Sequence, residues 1–143
     1  MDTAKLDSMI EHYAQSHRNK RNEIIHCVCV PAIVFAVIGL IYAFSLTMAL
    51  IAVIASVIYY ARLGLQAAVE MAVILVAMLA VWSLFGGAHH LAIVAIVIFG
   101  LAWVGQFIGH YYEGAKPSFL DDVQYLMIGP LFVISVLKPK LKL

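Results

Sequence analysis

The sequence predicts an all-α fold: a polytopic membrane bundle of about four transmembrane helices, an N-terminal amphipathic helix and a C-terminal re-entrant or interfacial helical pair. Three observations carry this. Of 143 residues, 64% are hydrophobic and only 12% charged, and mean hydropathy is +0.99. A soluble domain is about half apolar and about a quarter charged, and a chain of this size cannot hide so much apolar surface from water. The apolar residues also come in long uncharged runs with short polar breaks between them. Finally, Lys and Arg fall on alternate breaks, as the positive-inside rule requires of an even number of spans.

The chain starts with an amphipathic segment. Leu6, Met9, Ile10 and Tyr13 fall at i, i+3, i+4 and i+7, one helical face, while Asp2, Lys5, Asp7, Glu11 and His12 fall mainly elsewhere. Such a helix lies in the membrane interface or against the bundle. The first 25 residues are polar and show no cleavable signal, so the first span is expected to serve as the insertion signal.

From Cys27 to Ala61 there is no charge. That run suits two short spans and is too long for one, which takes about 20 residues. The break falls at Phe44-Ser45-Leu46-Thr47, giving a first span from about His26 to Phe44 and a second from about Leu46 to Ala61. Arg62 and Gly64 mark the next turn. A third span runs from about Leu65 to Phe85, Gly86-Gly87-Ala88-His89-His90 interrupts it, and a fourth runs from about Leu91 to Ile108. Arg18, Lys20 and Arg21 precede the first span, Arg62 follows the second and Lys116 follows the fourth. All five then lie on the cytoplasmic side.

The last apolar run, Val123 to Leu137, is short for a span at about 15 residues. Pro130, which removes a backbone donor, sits in its middle after Gly129. A fifth span would also carry Lys138, Lys140 and Lys142 outside. The prediction is therefore a pair of short helices with both ends cytoplasmic, with Asp121 and Asp122 capping the first. Residues 1–143 form a single integral membrane domain in this reading.

This topology brings chemistry to one face. His17 and His26 lie just before and at the start of the first span, and His110 lies at the end of the fourth, so all three reach the same cytoplasmic surface. Neutral imidazoles ligate iron, zinc and copper, and three of them around a shallow pocket would leave open coordination positions. Asn19, Asn22 and His26 share one helical face, as do Trp103, Gln106 and His110. Asn22 and Gln106 are candidate donors that orient a ligand or bind a head group, since amides in hydrocarbon are costly without partners. The bland alternative is that His, Asn and Trp near helix ends simply sit at head-group level. Glu70, inside the third span, is a further candidate: protonated, paired with Arg62, or facing the site. His89 and His90 fall on the opposite side and read as exposed loop histidines. Cys27 and Cys29 read as two free thiols packed as small hydrophobes. No basic, aromatic-interleaved patch points to nucleic acid.

Two stretches resemble a known family. Tyr13-Ala-Gln-Ser-His17-Arg-Asn19-Lys-Arg-Asn22-Glu-Ile-Ile-His26 with Val30-Pro31, and Trp103-Val-Gly-Gln106-Phe-Ile-Gly109-His110 with Glu113, Pro117, Leu120-Asp121 and Gly129-Pro130, are similar to the membrane 2-hydroxy fatty acid dioxygenase family. The resemblance covers nearly the whole chain, the middle matching only in hydropathy. It implies an iron(II)-dependent α-oxidation in which a 2-hydroxy fatty acid reacts with O2 and becomes a fatty acid one carbon shorter. It implies Fe(2+) on His17, His26 and His110. His12, His89 and His90 match no motif histidine. The family carries three residues between the motif His and Glu, whereas here only Tyr111 and Tyr112 intervene, which shifts the helical phase of Glu113.

The resulting expectation is an oxidoreductase of lipid metabolism in a bacterial inner membrane, with its N-terminus and metal site cytoplasmic. Asn19, Asn22 and Gln106 hold the head group or the ligands, and Trp103, Tyr111 and Tyr112 line the substrate's way in. The acyl tail lies among apolar helices and membrane lipid. The alternative is a non-catalytic, small metal-binding membrane protein or assembly subunit. Substrate chain length, any fourth ligand and the oligomeric state, a homo-oligomer included, stay open, and three histidines alone would accept several divalent ions.

Overall fold

The computed structural model describes residues 3–85, 88–117, 120 and 124–141. These residues form the helices α1 (Thr3–Gln15), α2 (Lys20–Phe44), α3 (Leu46–Leu63), α4 (Leu65–Leu84), α5 (Ala88–Glu113) and α6 (Tyr125–Leu141), with no strand among them. Among the described residues four segments are long and apolar enough to cross a membrane: Lys20–Phe44, Leu46–Leu63, Leu65–Leu84 and His90–Glu113. Ile51, Ile54 and Ile58 on α3, Val69, Val73 and Val76 on α4, and Ile93, Val97 and Leu101 on α5 are all exposed. Water would not tolerate apolar surface on this scale, so these faces meet lipid.

The number of spans matches the sequence expectation, and the boundaries differ instructively. α2 starts at Lys20 rather than near His26, because Asn19 caps it. The Asn19 side-chain oxygen accepts from the Arg21 amide at 2.9 Å, as an N-cap does. α5 starts at Ala88, so His89 and His90 belong to its first turn rather than to a loop. The side chain of His89 lies outside the described residues, as do Gly86, Gly87, Asp121 and Asp122; His90 is exposed. The C-terminal run differs most. Instead of a pair of short helices, one helix of 17 residues runs through Gly129, Pro130 and Pro139. Ile128 to Val133 are all buried within it. Packing around the whole circumference outweighs the lost Pro130 donor, a tertiary override of local propensity.

The chain divides into two compact units. The first comprises residues 1–3 and 32–100, from the latter part of α2 through α3 and α4 to the early part of α5. Ser45 accepts from the Met48 amide at 3.3 Å and so caps α3, which is why the uncharged run breaks there. α3 and α4 pack against each other. α4 buries Ala68, Met71, Leu75, Leu79 and Trp82, a stripe at steps of three and four. Trp82 also holds α2: its Nε1 donates to the Phe35 carbonyl at 2.8 Å, and its ring stacks on Phe35 at 4.6 Å. A Cβ at Gly39 would collide with that ring.

The second unit comprises residues 4–31 and 101–143: α1, the start of α2, the end of α5, and α6. Small residues let its helices approach closely. Gly105 and Gly109, one turn apart on α5, face α2; a Cβ at 105 would come within 2.6 Å of Cys29 Sγ, and one at 109 would overlap Asn22 Oδ1. This is the close small-residue packing favoured in membranes. Gly129 on α6 leaves similar room for the Tyr13 hydroxyl and Val30. Tyr13 is buried on the predicted apolar face of α1 and packs on Phe132 of α6, ring centroids 4.9 Å apart. Glu23 on α2 bridges Lys20 at 3.0 Å and Lys140 of α6 at 3.5 Å. Cys27 and Cys29 are free and half-buried.

Candidate metal centre

Three histidines meet inside the second unit. His17 comes from the short connection between α1 and α2, His26 from the second turn of α2, and His110 from the last turn of α5. Their ring centroids are 4.1 Å (His17–His26), 5.0 Å (His17–His110) and 4.7 Å (His26–His110) apart. All three are buried, and one ligand atom from each lies within 4.8 Å of the others. Among the described residues no other group of three His, Cys, Asp or Glu does this.

Local helix chemistry aims two of the rings. A carbonyl in the last turn of a helix has no intrahelical partner. Tyr13 O, near the end of α1, accepts from the Ser16 amide at 3.2 Å and the Ser16 hydroxyl at 3.1 Å, and meets His17 Nδ1 at 2.7 Å. His26 Nδ1 meets the Asn22 carbonyl at 2.9 Å, four residues back. A carbonyl only accepts, so in both rings Nδ1 carries the proton and Nε2 keeps the lone pair. This is how backbone partners fix ligating tautomers.

The donor set fits a divalent transition metal. His17 Nε2 and His110 Nδ1 are both buried with no hydrogen-bond partner, an arrangement that is costly unless something binds them. Three nitrogens about 2.1 Å from one ion in tetrahedral geometry stand about 3.4 Å apart, so atoms within 4.8 Å of one another need to draw together by about 1.4 Å at most to coordinate it. Metal ligation needs neutral imidazole, and burial pushes the His17 pKa down to about 4. The rings of Tyr13, at 4.2 Å and nearly parallel, and Phe132, at 5.3 Å, supply that burial. Burial likewise pushes the Tyr13 phenol up, so it stays neutral. Three protein ligands leave positions open for substrate, as catalytic metal sites do.

The other residues singled out from sequence separate into three groups. Asn22 is wholly buried; its Nδ2 donates to Ser16 O at 3.0 Å and to Glu113 Oε2 at 3.2 Å, and its Oδ1 has no partner. Gln106 is buried on α5 one turn before His110, with Oε1 unpartnered. Asn19 is engaged in structure: besides capping α2, it donates to Tyr112 O at 3.1 Å. Trp103 is half-buried and packs on Phe107 at 5.6 Å. Tyr111 is 83% exposed, and Tyr112 lies under the Arg21 guanidinium at 5.3 Å; neither ring meets the histidines in any contact described. Glu70, in the first unit, accepts from Gln66 Nε2 at 2.9 Å.

Sequence reasoning missed the use of Glu113. Its Oε1 accepts from the Arg18 amide at 2.8 Å, and its Oε2 accepts from the Asn19 amide at 2.7 Å as well as from Asn22. No spacing rule pairs a carboxylate with amides more than 90 residues away. The i−4 relation of Tyr13 to His17 and of Asn22 to His26 was visible, and could have revealed the backbone support of both rings.

Comparisons with known proteins agree with this site. The family profile described as "2-hydroxy-palmitic acid dioxygenase Mpo1-like" matches residues 3–141. The chain is 28% identical over 143 residues to "2-hydroxy-palmitic acid dioxygenase MPO1" of Saccharomyces cerevisiae, covering 90% of this chain and 77% of that protein. No solved structure matches the chain.

Proposed function

The chain belongs to the Mpo1-like family of 2-hydroxy-palmitic acid dioxygenases, and from that membership we propose that it is an iron(II)-dependent dioxygenase that shortens 2-hydroxy fatty acids by one carbon. The observation that carries the reading is the buried trio His17, His26 and His110, with two ring nitrogens left unpartnered at the polar end of apolar helices. These three would hold the metal. Bound there, iron(II) supplies Lewis acidity and the electrons with which O2 is activated. The conversion balances as one 2-hydroxy acid plus one O2 giving the shorter acid, CO2 and one water. The two-carbon end loses four electrons, and O2 gains them.

The protein's own groups do the rest. Tyr13 O and Asn22 O keep His17 and His26 in the ligating tautomer. Tyr13 and Phe132 exclude water from His17. Gln106 offers a buried amide to the head group. Asn19 and Asn22 hold the ends of α2 and α5 together, and so the ligands they carry. The acyl chain runs among apolar side chains that face lipid, where length is read loosely. Arg18, Lys20, Arg21, Arg62 and Lys116 support a cytoplasmic N-terminus and metal site in a bacterial inner membrane.

The test is a product assay. Detergent-purified protein, loaded anaerobically with iron(II), is given a long-chain 2-hydroxy acid and O2, with a chelator control. The expected product is the acid one carbon shorter, abolished by the chelator. Bound iron without product would leave a metal-binding membrane protein of another kind.

A further inference from the structure

One more ionisable group, Glu113, stands three residues after His110 on the same helix. A carboxylate one helical turn from His110 invites reading as a fourth ligand. Its hydrogen bonds argue otherwise. Both oxygens are taken by N–H donors: Arg18 N on one, and Asn19 N and Asn22 Nδ2 on the other. Among the described residues the metal-capable group contains the histidines alone.

The three donors have one thing in common. Arg18 and Asn19 immediately follow His17, and Asn22 ties to Ser16 O, immediately before it. His26 and His110 ride on long helices, whereas His17 sits between two helices, where the backbone has the fewest internal partners. Charge-assisted bonds from backbone amides to a carboxylate are short and about twice as strong as neutral ones. They fasten the His17 connection to the helix that carries His110.

We propose that Glu113 is a positioning residue, not a ligand: it clamps the Ser16–Asn19 connection onto the end of α5 and thereby holds His17 at the metal. The proposal rests on the reading of His17, His26 and His110 as the metal ligands.

The test is a double-mutant cycle read on metal affinity, with no turnover needed. Cobalt(II) is titrated into the metal-free protein and followed by its d–d absorption, for the wild type, Glu113→Gln, His17→Ala and the double variant. Gln keeps the shape but puts an NH2 where Oε1 or Oε2 accepts. Glu113→Gln is expected to weaken cobalt about 10- to 100-fold and to move the absorption toward that of His17→Ala. In the double variant the loss should be no greater than for His17→Ala alone, because the clamp acts only through that histidine. Additive losses, or an unchanged affinity for Glu113→Gln, overturn the clamp. An unchanged affinity for His17→Ala overturns the ligand reading instead. Hydrogen exchange on the wild type covers the case in which the variant does not fold. The Arg18 and Asn19 amides should be protected even without metal, and fast exchange there also overturns the proposal.

Discussion

A single methyl at position 109 separates the packing of the second unit from its metal chemistry. In Gly109→Ala the new Cβ would overlap Asn22 Oδ1 and stand 3.4 Å from both Asn22 Cγ and His26 Cε1. A carbon and an oxygen rest about 3.3–3.6 Å apart, so the Asn22 amide must retreat by about 1 Å. It cannot rotate away freely, because it is wholly buried and Nδ2 holds Ser16 O at 3.0 Å and Glu113 at 3.2 Å. A shift of about 1 Å takes both bonds beyond hydrogen-bonding distance. The neutral bond contributes about 1 kcal/mol and the charged one about 1.5–3, so the variant should lose about 2–4 kcal/mol. If about 2 kcal/mol of that falls on the ligand geometry, metal affinity drops about 30-fold. Two neighbouring glycines calibrate the result. Gly105→Ala is crowded only by the Cys29 thiol, the end of a side chain, its other neighbours standing at 3.9 Å or more, and Gly100→Ala meets nothing within 4 Å. Cobalt titration and thermal unfolding of the metal-free proteins should rank the losses Gly109 above Gly105 above Gly100. Wild-type affinity and stability in Gly109→Ala would refute the reasoning.

Other consequences are as direct. His26→Ala and His110→Ala should lose bound metal and turnover while inserting with wild-type helical circular dichroism; normal metal content in either removes that residue from the centre. Gln106→Leu relieves a buried unpartnered acceptor, so the protein should gain about 1–3 kcal/mol while KM for the 2-hydroxy acid rises, and a variant that is both less stable and fully active contradicts the head-group role. Gly39→Ala forces the Trp82 ring aside and should cost about 1–3 kcal/mol, with metal bound per folded chain unchanged. The pKa of His17 in the fold, about 4, lies below its ordinary 6.5, so the unfolded chain takes up that proton first. The metal-free protein should therefore keep this contribution in full above about pH 6.5 and lose it as pH falls toward 4. His17→Gln should flatten the dependence of Tm on pH across that window, and an unchanged slope would show that His17 is not buried as described.

Most of the fold was legible because lipid imposes a simple rule. Every backbone group must be bonded within its own helix, so long uncharged runs could only be spans, and charged or Gly-rich breaks could only be ends. Ser45 and Gly64 fell where the turns are for that reason. The rule says less where a segment is buried in protein. Gly129-Pro130 reads locally as a break, yet α6 continues through it because Ile128 to Val133 are buried on every side. The early start of α2 is a milder case: Asn19 is a good cap by its own chemistry, but polarity alone suggested that the helix begins where hydrocarbon does.

The site was legible to the same depth. Topology alone brings the ends of two spans to one face, and with them His17, His26 and His110. What topology cannot give is the partner of each polar atom. Asn19 and Asn22 were read as holding the head group or the ligands; Asn19 caps a helix and bonds Tyr112 O, and Asn22 ties Ser16 to Glu113. Tyr111 and Tyr112 were read, with Trp103, as lining the way in; Tyr111 is exposed and Tyr112 lies under the Arg21 guanidinium, and successive side chains on a helix point about 100° apart. Glu113 shows the same limit from the other side. Three residues beyond His110, it returns to nearly the same face of α5, so its phase places it beside the histidines. Whether it then binds metal or backbone depends on which donors arrive from 94 and 95 residues earlier. Arg18 and Asn19 arrive with amides that no helix satisfies, because they lie in the gap between α1 and α2. The gap that frees those amides also leaves His17 without a rigid helix of its own, so the need for a clamp and the means of building one have a single origin.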